Sequence, residues 1–202
     1  MSNEWVPFEE NSFKGKLLEE PVYEARRILL QDQFGDGEEL SNEQHIMKKL
    51  AIPNFRQPSW TLTWYHPARS WVEPSIPDIV VEHLGHHVLQ EEAKNWAMAY
   101  QTTSGHFESH VAARFTNQPE CLNRHLIISK FNPTPDSLQA ITRRLTELSI
   151  QVLELGQVAT EDNHDEILGL LLERREFNSW LDNLAQPTQT RRSSKWGEND
   201  KL

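Results

Sequence analysis

The sequence predicts an α+β fold: a small mixed sheet with a βαβ unit packed against several helices, and disordered tails. Three observations carry that expectation. A strand, a helix of about a dozen residues and a second strand follow one another between His125 and Leu155, which is the spacing of a βαβ crossover. Apolar residues recur at helical spacing on both sides of that unit. Seven tryptophans supply large buried areas, while the two ends of the chain are polar.

The 202 residues divide by composition into four parts. Residues 1–20 read as a mobile acidic and aromatic arm, with Trp5, Val6 and Phe8 beside Glu9 and Glu10. Residues 21–57 read as a helical arm, residues 58–186 as the α+β core domain, and residues 187–202 as a polar tail. The arm suits docking onto a partner or covering the protein's own core.

Pro21 at a first helical position opens the second part, and Val22, Ala25 and Leu29 share a face. Gly35-Asp36-Gly37 ends that helix. Ser41-Asn42-Glu43-Gln44 fits a capping box for a short helix that Pro53 stops. Trp60 to Tyr65 is rich in strand-favouring residues. Pro77 then opens a helix expected over residues 78–100. Gly85 weakens that helix, and a strand over 79–84 followed by a helix is the alternative. Ser104 caps a further helix, with Phe107, Val111 and Phe115 four residues apart. Leu126-Ile127-Ile128 reads as a buried strand. Thr134 and Pro135 start the crossover helix, with Leu138, Ile141, Leu145 and Leu148 as its stripe. Ile150–Leu155 is the second strand of the unit. A last helix begins near Asn163, and Ile167, Leu171, Phe177, Trp180 and Leu181 lie on its buried face.

The formal charge of −10 argues against a general nucleic-acid or anionic-membrane coat. Cys121 is the single cysteine, so no intrachain disulfide framework exists. No apolar run reaches the roughly 18–20 residues of a membrane span. The expectation is a soluble intracellular protein of nucleus or cytoplasm, with no membrane partner.

Chemistry-bearing residues concentrate in the middle of the chain. His83/His87, His106/His110 and Cys121/His125 are pairs four residues apart, a spacing that lets two side chains share one helical face. Imidazole and thiolate suit zinc, so His106, His110, Cys121 and His125 form the candidate metal set. Arg143 and Arg144 lie together on the crossover helix. With Trp60 and Trp64 as stacking platforms they form the candidate nucleic-acid surface. Ser193 and Ser194 follow Arg191-Arg192 in the tail and read as a site for a basophilic kinase. No Gly-x-Ser-x-Gly elbow and no glycine-rich phosphate loop is present, and no catalytic residue is assigned.

Pro58-x-Trp60-x-x-x-Trp64-Tyr65-His66-x-x-Arg69 resembles a motif of the small nuclear nonstructural proteins of bocaparvoviruses and related parvoviruses. Phe115 to Cys121 keeps that family's Phe-to-Cys spacing. Its second cysteine position holds Arg124 here, and its basic N-terminus is acidic here. The resemblance implies a viral accessory protein of the nucleus that contacts host factors in transcript processing and replication. It adds Tyr65, His66 and Arg69 to Trp60 and Trp64 as candidate binding residues. The leading functional reading is therefore a non-enzymatic interaction or accessory protein with a protein partner and no cofactor. The alternatives are a nucleic-acid-binding module on the Trp/Arg surface, and a zinc-dependent domain or hydrolase at the histidine cluster.

Overall fold

The computed structural model describes residues 8–41, 59–65, 76–116 and 120–185. The chain opens with a long helix, α1 (Phe8–Phe34). Then come β1 (Glu38–Ser41), β2 (Trp60–Trp64), β3 (Ile79–His83) and β4 (His86–Lys94). Helix α2 spans residues 104–116. It is α-helical over Ser104–Phe107, a π-helix over Glu108–Ala112, and α-helical again over Ala113–Thr116. Next are β5 (Asn123–Ile128), α3 (Pro135–Glu147) and β6 (Ile150–Glu154). A 3-10 turn at Glu161–Asn163 leads into three consecutive helices, α4 (His164–Glu173), α5 (Arg175–Asn178) and α6 (Trp180–Ala185).

The six strands form one mixed sheet whose spatial order follows the chain, β1 to β6. β1 and β2 are parallel, β2–β3 and β3–β4 antiparallel, and β4–β5 and β5–β6 parallel. The α+β architecture and the β5–α3–β6 unit are as the sequence predicts. One face carries α1 and α4–α6, where Leu18, Val22, Ala25 and Leu30 pack on Leu62, Leu89 and Ile127 together with Ile167, Phe177 and Trp180. The other face carries α2 and α3, where Phe107, Val111 and Phe115 meet Leu126, Ile128, Ile141 and Ile150.

Three expectations change. The arm boundary at residue 20 does not hold, because α1 starts at Phe8 and Leu18 is fully buried. Pro21 sits inside that helix rather than at its start, so only the Leu17 carbonyl loses a helical partner. The helix expected over residues 78–100 is instead the β3–β4 hairpin: the alternative strand over 79–84 matches β3, but β4 stands where a helix was to follow. Leu84 and Gly85 both take positive φ, 50° and 81°, the geometry of a tight two-residue turn whose twist matches its strands. A central strand is covered on both faces, so its sequence need not alternate. Gln90, Glu91 and Glu92 are all fully buried, and three consecutive polar residues hide the period of two. The last helix is three pieces, broken at Arg174, whose φ and ψ of −75° and 116° are extended. Ser41, expected to cap a short helix, is the last residue of β1; the rest of that helix, residues 42–51, and the tail from residue 187 lie outside the described residues.

Candidate functional site

The site grows out of the β3–β4 hairpin. In an antiparallel pair the side chains of opposed residues stand together. Ile79 is opposite Glu91, so one step further Asp78 comes opposite Glu92. Lys94 is two residues beyond Glu92 and shares its face, since strand side chains alternate. The residue order Asp78, then Glu92-Ala93-Lys94, thereby places two carboxylates and an ammonium at one end of the sheet. Asp78 is fixed by the backbone it borders: its Oδ2 accepts the Ala93 N–H at 2.8 Å, and its carbonyl accepts the Tyr65 N–H at 2.8 Å.

A third carboxylate arrives from α1. Glu19 is buried and its Oε2 accepts the Trp64 indole N–H at 2.9 Å. Burial pushes the Glu19 carboxyl up to about 8, and Asp78 and Glu92 push it the same way. Burial likewise pushes Glu92 up to about 7, again helped by Asp78. The Lys94 ammonium pairs with Glu92 Oε1. Burial works against the Lys94 charge, but Glu92 and Asp78 outweigh it and raise its pKa, so it is a cation at neutral pH. Arg114, from α2, brings its Nε to 3.6 Å from the same Glu92 oxygen. The other oxygen, Glu92 Oε2, is fully buried and accepts no hydrogen bond. A buried carboxylate oxygen without a donor is costly, and the Asp78 charge adds repulsion.

Such a set suits a hard cation. All the acidic donors are oxygens, the preference of Mg²⁺ and Mn²⁺ rather than of Zn²⁺. No three Asp, Glu, His or Cys side chains among the described residues stand in coordinating geometry. The ammonium occupies the place of positive charge beside Glu92.

The residues singled out from the sequence are distributed differently. The zinc set is not assembled. His106 and His110 are on α2, with ring centroids 4.1 Å apart. His125 is on the opposite face of the sheet, its Nδ1 3.3 Å from Glu91 Oε1 and 3.2 Å from an Arg26 nitrogen. Cys121 points its thiol at the Asn123 carbonyl, 3.2 Å away. Strand alternation separates these residues, since β5 sends Leu126 toward α2 and therefore His125 toward α1.

Nor do Trp60, Trp64, Arg143 and Arg144 make one surface. Trp60 is core, 3% exposed, with its N–H on the Gly35 carbonyl at 2.9 Å. Trp64 stacks on Tyr23 at 5.4 Å. Arg144 is forked onto Glu108 at 3.0 and 3.1 Å, and Arg143 approaches Glu147 at 3.7 Å. Tyr65 continues β2 beside Asp78. His66, Arg69, Ser193 and Ser194 lie outside the described residues.

Sequence reasoning passed over Glu19, Asp78, Glu92, Lys94 and Arg114. A usable signal was present: an acid directly ahead of one strand, and an acid and a lysine two apart near the end of the next. No helix among the described residues is long and apolar enough to cross a membrane. No protein-family model, no curated protein and no solved structure matches the chain.

Proposed function

We propose that this chain is a divalent-cation-dependent phosphodiesterase acting on nucleic acid. The observation that carries the reading is the convergence of Asp78, Glu92 and Lys94 on one strand end, with Glu92 Oε2 buried and unpartnered. Asp78 and Glu92 would supply the oxygen ligands, and Glu19, whose carboxyl they raise, would add negative charge from α1. A Mg²⁺ or Mn²⁺ bound there would supply Lewis-acid polarisation of a phosphoryl oxygen and a water of lowered pKa.

Lys94 holds its proton beside Glu92 and Asp78. It therefore acts as a fixed positive charge, turning from Glu92 to the non-bridging oxygens that gain charge in the transition state. Arg114 stands on the same carboxylate from the α2 side and adds a second cation for the substrate phosphate. Burial raises the Glu19 and Glu92 carboxyls to about 8 and about 7, and a bound cation would displace the protons they hold. A phosphodiester is the substrate class that uses both parts: carboxylates for the cation, and Lys94 with Arg114 for the phosphate. The interaction-protein reading leans on Trp60 and Trp64, and burial of Trp60 gives those residues a structural account instead.

The test is cleavage of end-labelled single-stranded and duplex DNA and RNA with Mg²⁺ or Mn²⁺, and with chelator as control. Wild type is expected to cut at least one of these. Asp78→Asn and Lys94→Ala are expected to lower the rate about 100-fold or more, while retaining a cooperative melt. Failure of wild type to cut any of them with either ion would overturn the proposal.

A further inference from the structure

Beyond Lys94 the chain builds a second feature that the cation site does not use. Trp96, Tyr100, His106 and His110 form a continuous aromatic cluster. Trp96 lies 5.1 Å from Tyr100 and 5.2 Å from His106 between ring centroids. Tyr100 lies 5.3 Å from His106, and its hydroxyl is 2.9 Å from His106 Nδ1. His106 in turn meets His110 at 4.1 Å between ring centroids, with the planes tilted by 38°. The inner side of the cluster is anchored, since Trp96 packs against the α2–α3 core. The outer side is open: Tyr100 is 36% exposed and Met98 beside it 42%.

The π-helix explains why this cluster points at the cation site. Two α-helical turns take about seven residues. The i→i+5 bond from the Ala113 N–H to the Glu108 carbonyl adds one residue to a turn. Eight residues then make two turns, which sets His106, His110 and Arg114 in a single row. The row begins at Tyr100 and ends on Glu92. The supporting loop is pinned as well. Asn95 holds the Ala159 backbone at both ends of its amide, at 2.8 and 2.9 Å. Thr102 bridges to Pro133, and the Thr103 hydroxyl caps α2 by accepting the His106 N–H at 3.2 Å.

We propose that Tyr100, His106 and His110, backed by Trp96, are a stacking platform for an unpaired nucleobase next to the phosphate held at Lys94 and Arg114. This rests on the phosphodiesterase reading for its anchor and deepens it by naming the substrate: a strand with an unpaired nucleotide beside the scissile bond, as in a tail, flap or single strand. Burial, together with the positive charge of Lys94, lowers both histidine pKa values. The imidazoles are then neutral faces that stack rather than cations that bind phosphate. Continuity favours a base over any other occupant. The cations for the backbone stand at one end of the row and flat rings at the other, the combination that single-strand sites use. A chain of net charge −10 has little general affinity for duplex backbone, so a stacked base adds the selectivity.

The test is fluorescence anisotropy with a fluorescein-labelled single strand and a blunt duplex of the same sequence, in Ca²⁺ to hold turnover down. Cleavage is then assayed in Mg²⁺ or Mn²⁺. Wild type is expected to bind the single strand about tenfold tighter than the duplex, and Tyr100→Ala to lose about tenfold on the single strand. Tyr100→Phe keeps the ring and is expected to keep the affinity. An abasic position beside the scissile bond is expected to raise KM about tenfold for wild type, and that penalty is expected to vanish in Tyr100→Ala. Thermal melts of both variants confirm the fold, and His106→Ala provides a second probe on the same row. Wild-type affinity in both Tyr100→Ala and His106→Ala, or a wild-type preference for blunt duplex, would overturn the platform. Wild type that binds the single strand through Tyr100 but cleaves nothing overturns the hydrolase reading alone. Cleavage indifferent to Tyr100→Ala and to the abasic position overturns the platform alone. Absence of binding overturns both.

Discussion

Glu91 and Glu92 are neighbours in the chain, both fully buried, and they face opposite layers with opposite outcomes. Glu91 is closed in a forked pair with Arg26, Nε to Oε2 at 2.7 Å and a terminal nitrogen to Oε1 at 2.6 Å. Glu92 shares one oxygen between Lys94 and Arg114 and leaves the other without a donor. Burial raises the pKa of either carboxylate. In Glu91 it is outweighed by Arg26, with His125 helping, and the net shift is downward. In Glu92 burial and Asp78 prevail over the cations. One strand thus carries a satisfied structural charge on the α1 side and an unsatisfied one on the α2 side.

The Arg26–Glu91 pair is expected to be structural. Arg26 also donates to the Phe177 carbonyl at 2.5 Å and lies 3.3 Å over the Phe177 ring centroid, so it ties α1 to β4 and α5. Removing one partner strands a charge in the core. Arg26→Met or Glu91→Leu is therefore expected to cost about 3–5 kcal/mol. The double variant Arg26→Met/Glu91→Leu removes both charges and is expected to be more stable than either single one. Urea unfolding of the four proteins measures this. Costs that simply add would show that the pair does not act as a unit.

The acidic site ties stability to pH with a definite sign, and on the proposed reading to cations as well. The carboxyls of Glu19 and Glu92 stand at about 8 and 7 in the folded chain, against 4.5 for an ordinary glutamate. Between those values the native protein holds protons that the unfolded chain has released. Stability therefore falls as pH rises, by about 1.4 kcal/mol per pH unit for each such proton. The loss is complete above the folded pKa values. Without divalent ions, the melting temperature is expected to decline from pH 5 toward pH 8. On the proposed reading Mn²⁺ would replace the protons, so its stabilising shift is expected to be larger at pH 8 than at pH 6. In Glu92→Gln the slope is expected to shrink and the Mn²⁺ shift to collapse. Differential scanning fluorimetry across pH checks all three. A melting temperature that rises over this range in wild type would contradict the assignment.

How much of this was legible in the sequence depends on what hid each element. The β5–α3–β6 unit was legible because Leu126-Ile127-Ile128, Pro135 and the Leu138/Ile141/Leu145 spacing agree locally. α1 was half legible: Leu18 belongs to the same buried stripe as Val22 and Ala25, but Pro21 suggested a start that was not there. The site was hidden by its own burial. Gln90-Glu91-Glu92 resembles a solvated helix face, and only the hairpin partner shows that each carboxylate has a reason to be inside. The histidines drew attention as ligand types, while the acids that sense one another's charge are Glu19, Asp78 and Glu92. Residues 19 and 78 come from elements far apart in the chain, and no spacing rule links them.

The turn from α1 into β1 supplies a last prediction that bears on how Trp60 enters the core. Gly35, at φ +73°, ends α1 in the left-handed conformation that glycine adopts without a Cβ penalty. Its N–H bonds the Gln31 carbonyl at 2.9 Å, and its own carbonyl takes the Trp60 indole N–H at 2.9 Å. Two residues later the backbone passes directly over that indole. A Cβ on Gly37 would meet Trp60 Cε2 at 2.0 Å, whereas one on Gly35 meets nothing within 4 Å. The two glycines are thus needed for different reasons, one conformational and one steric. Gly35→Ala is expected to cost about 1–2 kcal/mol from backbone strain alone. Gly37→Ala is expected to cost about 1–3 kcal/mol by displacing a 3% exposed tryptophan. Only the second is expected to depend on what occupies residue 60. In a Trp60→Leu background the cost of Gly37→Ala should largely disappear, while that of Gly35→Ala should persist. Denaturant unfolding of the single and double variants reads this coupling directly. A Gly37→Ala penalty unchanged by Trp60→Leu would mean that the close approach of backbone to indole does not hold this corner of the fold together.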